Sequence, residues 1–209
     1  MSVTIRPVEN KADIKKFVDF PYTLYKENAY WVPPIKNDEI KAISADSNPA
    51  FKYNKSAFWI AEKDGKVVGR IGAIISPESN EKNNELLCRF TRIEFIDDTE
   101  VSKALIDTAT QFAKDNGMKG IHGPLGFTNL DHQGMLIEGF DKLPSIASEY
   151  HMPYYHAHIE ALGFQKEMDW VEFRIKIFKE IPEKAVKLNE LIKKRYDLTV
   201  VHFDSTKTL

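Results

Sequence analysis

The residues best suited to chemistry carry carboxyl, phenol and imidazole groups, and they fall in three separate stretches of the sequence. Glu94 lies near the end of Phe90-Thr-Arg-Ile-Glu-Phe-Ile96, part of a run whose pattern predicts a strand. Tyr154 and Tyr155 follow Pro153 at the start of a predicted helix. A carboxylate can accept a proton and a phenol can donate one, so these groups suit general acid–base chemistry.

The third stretch, residues 125–151, matches neither a helical nor a strand pattern. Its apolar residues argue against disorder, and long irregular segments within compact domains are usually functional. Its polar side chains are candidates to converge on a site: Asn129, Asp131, His132, Glu138, Asp141 and His151. We take Asp131 as a candidate catalytic residue, and Asn129, His132 and Glu138 as candidate substrate contacts. Asn129 and Asp131 equally suit side-chain-to-backbone turn bonds, and His132 suits a solvated loop.

Composition bounds the class of protein. The 209 residues are 43% hydrophobic and 29% charged, which is typical of one soluble domain. A net charge of −2 without a Lys/Arg block argues against a nucleic-acid-binding protein. The single Cys88 is compatible with a reducing cytosol, and no signal core or membrane-spanning run is present, so we expect a cytoplasmic protein. Peripheral membrane contact and the oligomeric state stay open.

No metal site is expected. His156 and His158 are two residues apart on a predicted helix, so their side chains point in different directions, and no cysteine cluster supports them.

Apolar periodicity and turn residues predict an order of elements. The strands are predicted at Val3–Val8, on both sides of the Asp64-Gly65 hairpin turn, at Leu86–Ile96, Gly120–Leu125, Asp169–Ile177 and Leu198–Phe203. The helices are predicted from Lys11 with Asn10 as cap, over Ile35–Ile43, from an Asp97/Glu100 capping-box-like pair to Asn116-Gly117, from Met152 to Gly163, and over Pro182–Tyr196.

This order, and the Leu162-Gly-Phe164 helix end, resemble the GNAT (Gcn5-related N-acetyltransferase) superfamily. The resemblance implies an α/β fold with a mixed central sheet flanked by helices. Over nearly the whole chain, a narrower resemblance is to the bacterial GNAT-like family that includes the bacterial ceramide synthases. It rests on Trp31-Val-Pro-Pro34, Asn48-Pro49, Gly69-Arg70-Ile71, Asp97-Asp98, Gly123-Pro124, Gly134, Glu138-Gly-Phe-Asp141, Pro144 and Tyr154-Tyr155.

Members of that family are typically longer and have a second GNAT-like half. We therefore expect a GNAT-like domain over residues 1–180, with a functional insertion at 125–151. Residues 181–209 would then be a linker helix and the first strand of a second half.

The resemblance implies an N-acyltransferase. Such an enzyme transfers an acyl group from acyl-CoA or an acyl-carrier thioester to a primary amine, in the characterised branch that of a sphingoid base. Many GNAT enzymes place a glutamate base where Glu94 stands. By alternation Phe90, Arg92, Glu94 and Ile96 share one face, which allows Arg92 to pair with Glu94. A strand-surface ion pair is the competing interpretation.

The acid that protonates the leaving thiolate is less clear. Many GNAT enzymes place a tyrosine four residues before the Gly of Leu-Gly-Phe, where this chain has Ile159. Tyr154 or Tyr155, one or two helical turns earlier, would have to substitute; packing on the sheet is their other interpretation. Tyr25 and Trp31 belong to an aromatic segment that suits either an apolar groove for a lipid amine or core packing.

The turn opening the strongest helix departs from the family pattern. The resemblance places the backbone of Ile96, Asp97, Asp98 and Thr99 against the donor, where a typical member has two glycines. At an effective dielectric of about 20 and a distance of about 6 Å, each carboxylate would oppose a phosphate by roughly 3 kcal/mol. The helix dipole offers only about 1 kcal/mol. Standard coenzyme A binding is therefore disfavoured at this turn.

Three alternatives follow from this departure. The thioester arrives on another carrier or in another pose, the donor site lies in a second half, or this half only scaffolds. In the last case the chain is a non-catalytic GNAT-like domain that binds a lipid, a carrier protein or its own second half.

Overall fold

The computed structural model describes residues 2–177 and 179–202. The chain divides into two compact units, Met1–Met168 and Asp169–Leu209. The first unit holds a five-stranded mixed sheet with helices on both faces, which confirms the predicted α/β fold class. The predicted division at residues 180 and 181 concerns a longer protein and stays a prediction.

The sheet has the strand order β1-β2-β3-β4-β5. Its strands are β1 (Thr4–Pro7), β2 (Lys55–Lys63), β3 (Lys66–Ile75), β4 (Leu87–Phe95) and β5 (Gly120–His122). The first four pair antiparallel, and the β2–β3 hairpin turns at Asp64 and Gly65, both at positive φ, as predicted. β5 is parallel to β4 and pairs only with Leu87–Arg89. β4 therefore continues to Phe95 beyond the end of β5.

Six α-helices lie within the described residues. They are α1 (Lys11–Leu24), α2 (Lys36–Ala42), α3 (Pro77–Asn83), α4 (Thr99–Asp115), α5 (Tyr154–Ala161) and, in the second unit, α6 (Glu183–Tyr196). A 3-10 turn covers Pro49–Lys52. The short α3 is the helix that the sequence pattern missed. None of these helices is long and apolar enough to cross a lipid bilayer.

The N-terminal caps of two helices can be compared with the capping residues predicted from the sequence. Asn10 caps α1 as predicted, and its side chain accepts from the backbone N–H of the second and third residues after it. The cap of α4 is Asp98, whose Oδ1 accepts from Glu100 N at 2.9 Å. The predicted Asp97/Glu100 pair was wrong by one residue, because the Asp97 carboxylate bonds to His158 instead.

Two apolar clusters pack on opposite faces of the sheet. One joins α4 and α5 to the sheet through Ile71, Ala73, Phe90, Phe95, Val101, Leu105 and Tyr155. The other joins α1 to the sheet through Phe17, Val18, Phe58, Ile60 and Ile74. Alternation along β3 thus points Ile71 and Ala73 toward α4, and Arg70, Gly72 and Ile74 toward α1.

A β-bulge in β4 breaks the same alternation there. The register passes from Arg70 opposite Glu94 to Gly72 opposite Thr91, so one residue of β3 faces two of β4. Arg92 lies in this bulge at a φ of 48°, a left-handed conformation that is uncommon for a non-glycine residue.

The bulge changes the face that Glu94 occupies. Phe90 before it and Ile93 after it both belong to the α4 cluster, so Glu94 projects toward α1, opposite Arg70. The prediction that Phe90, Arg92, Glu94 and Ile96 share one face is therefore wrong. A two-residue period does not survive an inserted residue.

Irregular structure extends through residues 123–153, as predicted for the insertion. It contains no helix or strand, yet Phe127, Tyr150 and His151 are buried. The insertion is thus a packed part of the first unit.

The second unit corrects two predictions. Residues 169–177 form no strand although they alternate as one, and Trp170, Phe173 and Ile175 are exposed. A strand also requires a neighbouring strand to pair with, so alternation alone does not make one. The helix over Pro182–Tyr196 is confirmed as α6. Residues 198–202 of the last predicted strand are not in a strand either, and Phe203 lies outside the described residues.

We predict that Gly72→Ala destabilises the fold by about 1–3 kcal/mol. A Cβ at this position would lie 2.6 Å from the Phe58 ring and 2.8 Å from Thr91 Cγ2, between two packed strands. Urea denaturation checks the change in free energy of unfolding. The matched control is Gly120→Ala, where the nearest atom is the end of the flexible Leu87 side chain at 3.1 Å. Equal effects of the two substitutions would contradict the packing argument.

Candidate active site

A buried carboxylate, that of Glu94, accepts hydrogen bonds from residues near the start and near the end of the first unit. Glu94, the penultimate residue of β4, is 5% exposed. Its Oε2 accepts hydrogen bonds from Tyr25 Oη and Tyr155 Oη, each at 2.6 Å. Tyr25 is the C-cap of α1 and Tyr155 lies in the first turn of α5. Three residues that the sequence singled out therefore converge on one point.

The start of α5 also satisfies the free end of β4. Because β5 stops opposite Arg89, it does not reach the backbone of Phe95. Phe95 N donates to Tyr155 Oη at 2.9 Å, and Tyr154 Oη donates to Phe95 O at 2.6 Å. Burial raises the pKa of Tyr154, and it raises that of Tyr155 well above its usual value. Both phenols therefore stay protonated at neutral pH and remain hydrogen-bond donors.

The basic partner of Glu94 is Arg70. Their side chains face each other across the β3–β4 ladder, with Arg70 Nη2 3.8 Å from Glu94 Oε1. The proposed Arg92–Glu94 pair was wrong, because the bulge sends Arg92 elsewhere. Arg92 Nε donates to Glu39 Oε2 at 3.0 Å.

The protonation of Glu94 is finely balanced. Burial raises its pKa to about 7, against the positive charge of Arg70 and the hydrogen bonds from Tyr155 and Tyr25, which favour the ionised form. A carboxyl group with this pKa can accept and release a proton at neutral pH, as a general base must.

A second group of charges surrounds Arg92. A cavity of about 160 Å³ is lined there by Glu39, Thr91, Arg92, Leu130, Asp131, His132 and Glu149. Burial alone would raise the pKa of Glu149, but the hydrogen bond from His132 and the nearby positive charges hold it at about 2. The same hydrogen bond raises the pKa of His132, whereas burial lowers that of His151.

The other predicted residues occupy different places. Trp31 stacks on Tyr25 with ring centroids 5.1 Å apart, beside the Glu94 group. Asp131 Oδ2 accepts from Thr128 N at 2.8 Å, the turn bond that was its alternative interpretation. Asn129 and Glu138 are exposed on the insertion. His132 and Asp131 line the cavity at Arg92, and the hydrogen bonds at Glu94 involve none of these insertion residues.

The turn before α4 is filled by its own side chains. Asp98 caps the helix through Oδ1 and accepts from Lys63 Nζ through Oδ2 at 2.8 Å. Lys63 also binds Glu100 at 3.0 Å. Asp97 Oδ1 lies 2.9 Å from His158 Nε2.

The backbone of this turn is also partly engaged. Ile96 N donates to Val68 O at 3.0 Å, and Asp98 N donates to Ile96 O at 2.7 Å. With three carboxylates against the one ammonium of Lys63, the turn does not fit a pyrophosphate. Donor binding by the backbone of residues 96–99 stays a prediction.

Sequence reasoning did not assign a role to Arg70. A signal was present, because Arg70 is the one charged residue between Val67 and Ile75 in an otherwise apolar strand. A charge in such a strand is buried only with a partner. The partnership of Glu39 with Arg92 had no comparable signal, since it depends on the bulge.

Comparison with known proteins gives relatives of greater length. No protein-family model matches the chain. It is 36% identical to the protein YghO of Escherichia coli K12 over 165 residues, covering 79% of this chain and 42% of YghO. It is 26% identical to the bacterial ceramide synthase of Caulobacter vibrioides, covering 95% of this chain and 55% of that protein. The chain thus spans about half the length of these curated relatives.

Among solved structures, the fold matches a tandem GNAT protein from the clavulanic acid biosynthesis pathway. The TM-score is 0.52 at 15% identity, over 78% of this chain and 43% of the other, a likeness that concerns the fold alone. The elements of the first unit follow the order β1-α1-α2-β2-β3-α3-β4-α4-β5-α5 around a mixed sheet. In fold the chain is similar to this tandem GNAT protein, and in sequence it resembles the bacterial ceramide synthase.

Proposed function

We propose that this chain is the acceptor-activating part of an N-acyltransferase, which transfers an acyl group from a thioester to a primary amine. One observation carries the proposal: two tyrosines hold a buried carboxylate at the end of β4. Burial raises the pKa of this carboxyl to about 7, which suits proton transfer at neutral pH. Glu94 is then the general base that removes a proton from the ammonium form of the amine.

The hydrogen bonds of the two carboxylate oxygens support Oε1 as the one that takes the proton. Oε2 already accepts two hydrogen bonds, from Tyr25 and Tyr155, whereas Oε1 has Arg70 Nη2 at 3.8 Å, beyond hydrogen-bonding distance. Oε1 therefore has free acceptor capacity. Proton transfer from the ammonium group to Oε1 leaves a neutral amine, whose nitrogen lone pair can attack an acyl carbon.

Tyr155 and Tyr154 differ in burial and in the number of hydrogen bonds that they make. Tyr155 is fully buried and bonds to both Glu94 and Phe95, so it orients the base. Tyr154 is only partly buried and makes one hydrogen bond, to Phe95 O. We therefore assign the proton-donor role toward a leaving group to Tyr154, and an orienting role to Tyr155.

The acceptor is proposed to be an amine with an apolar body. The stacked pair of Tyr25 and Trp31 offers an aromatic wall next to Glu94, and the relative named bacterial ceramide synthase makes a sphingoid base a reasonable candidate. Contact with a membrane surface would deliver such a lipid. Asn129, His132 and Glu138 on the insertion would contact the more distant parts of it, and Asp131 would act by shaping the insertion.

The donor is proposed to be an acyl-CoA or an acyl-carrier thioester. Because the turn at Asp97 and Asp98 does not fit a pyrophosphate, we assign no donor contact to it. The chain spans about half of its relatives' length, so a second GNAT-like half, beginning with residues 181–209, is proposed as the other place for the donor.

A second candidate function is supported by the same burial. Glu94 is 5% exposed and its tyrosine bonds tie α1 and α5 to the sheet, which is also what a purely structural group would do. Together with the acidic turn, this favours a non-catalytic domain that binds a lipid, a carrier protein or its second half. The experiments below separate the two.

The first prediction concerns the base. Glu94→Gln keeps the shape and the tyrosine bonds but cannot accept the amine proton, so kcat/KM should fall by about 10²–10⁴-fold. The assay uses a long-chain primary amine with an acyl-CoA, and circular dichroism confirms the fold. The matched control is Glu160→Gln on the exposed side of α5, which should leave the rate unchanged. A Glu94→Gln rate close to wild type would favour the non-catalytic function.

A second prediction concerns pH. Since only ionised Glu94 accepts a proton, kcat/KM should rise with pH and level off above a midpoint of about 7. The residual activity of Glu94→Gln should lack this limb. A limb that persists in Glu94→Gln would belong to another group, and Glu94 would not be the base.

A third prediction concerns the donor. An acyl-CoA or an acyl-carrier protein at about 100 times its dissociation constant should stabilise the protein that binds it by roughly 2.7 kcal/mol. Thermal unfolding is measured for this chain and for a protein of the relatives' full length. We expect the shift in the full-length protein. A shift of equal size in this chain alone would contradict our reading of the α4 turn.

A further inference from the structure

We propose that Arg70 is a positioning residue for Glu94, anchored by a carbonyl that Pro21 leaves free in α1, and that it favours the ionised state of Glu94 against the effect of burial. The kinetic part of this inference rests on the proposed function, but its structural part does not.

The anchor begins with a proline inside a helix. Pro21 lies within α1 and has no backbone N–H, so it cannot donate to the carbonyl four residues earlier, that of Phe17. A buried carbonyl without a donor is costly. Arg70 Nη1 donates to Phe17 O at 3.2 Å and replaces the missing helical bond. The sequence position of Pro21 thus creates the acceptor that fixes Arg70.

Packing holds the guanidinium in the same place. Arg70 is 5% exposed, and its guanidinium lies over the Phe17 ring, 4.9 Å from the centroid. Its rigid plane then directs Nη2 toward Glu94 Oε1 at 3.8 Å. Its Nε has no hydrogen-bond partner.

A buried guanidinium whose Nε has no hydrogen-bond partner needs a negative charge nearby, because it does not lose its proton. Glu94 lies directly across the ladder and supplies that charge when it is ionised. In return, the positive charge of Arg70 favours the carboxylate of Glu94 over its carboxylic acid.

The other groups that face Glu94 do not supply a permanent positive charge. Tyr25 faces it from the end of α1, and Tyr155 and Tyr154 from α5. Glu149, from the insertion, adds a negative charge. His151 packs on Tyr155, with ring centroids 5.3 Å apart, and burial lowers its pKa. Arg70 is therefore the group in this set whose removal should move the protonation of Glu94 most.

The test measures the titration of Glu94 directly. The carboxyl carbons of glutamate are labelled with ¹³C, the Glu94 signal is assigned by its loss in Glu94→Gln, and its chemical shift is followed against pH. In Arg70→Met the midpoint should move to higher pH by about one to three units, the effect of removing an opposite charge at this distance. Arg70→Lys should move it less. An unchanged midpoint in Arg70→Met would overturn the proposal.

Pro21→Ala tests the anchor and guards against misfolding of Arg70→Met. The restored N–H competes for Phe17 O and should loosen Arg70, so the midpoint should move in the same direction by a smaller amount. Pro49→Ala, at the start of the 3-10 turn, is the matched control and should leave the midpoint unchanged. No difference between the two proline variants would overturn the anchoring role.

Kinetics separates this inference from the proposed function. In an active enzyme, the acidic limb of kcat/KM should move with the Glu94 midpoint in Arg70→Met and Pro21→Ala. If the midpoint moves and no acyl transfer is found in any variant or in the wild type, Arg70 still sets Glu94 and the enzymatic proposal fails. If the limb stays in place while the midpoint moves, Glu94 is not the base.

Discussion

The inserted residue in β4 is the constraint on which the arrangement of charge in this protein depends. Before the bulge at Arg92 and after it, apolar residues of β4 face α4, and the extra residue between them turns Glu94 toward α1. In an unbroken alternation Glu94 would project into the apolar cluster under α4, where an unpaired carboxylate is not tolerated. The bulge places Glu94 opposite Arg70 instead, and it lets Arg92 bind Glu39.

Two carboxyls, the buried Glu94 and the partly buried Glu149, then change stability in opposite directions with pH. The folded-state pKa of Glu94 is raised to about 7, so its contribution to stability is present at low pH and is lost as pH rises toward 7. The pKa of Glu149 is lowered to about 2, so its contribution is present above its usual pKa and is lost as pH falls toward 2. The ionised Glu94 that the proposed base requires is thus the less stable form of the fold.

Local signals in the sequence were enough for most of the elements of the first unit and too weak for the exact pairing of its strands. The Asp64-Gly65 hairpin, the Asn10 cap and the irregular insertion depend on a few neighbouring residues, and the structure has them as predicted. The bulge at Arg92 depends on how β3 and β4 pair, and no single residue of β4 predicts it. Alternation over residues 169–177 likewise indicates which side chains could share a face but not whether a partner strand exists.

The site could be predicted only in part. Tyr25, Glu94 and Tyr155 come from three distant stretches of the sequence, so their chemical groups could be identified beforehand but their convergence could not.

The start of α4 is acidic, although the family pattern to which this chain was compared has glycines at that turn. Asp98 caps the helix and Lys63 neutralises part of its charge, so the acidic turn is a good solution for helix stability. The same carboxylates oppose a phosphate at the position where helix dipoles otherwise attract one. At Glu94, burial disfavours the ionised carboxylate, whereas the tyrosine hydrogen bonds and Arg70 favour it. The Glu94 group therefore supports the proposed acceptor half of acyl transfer, whereas the α4 turn supports no donor contact, so function has to be argued from the site and not from the fold.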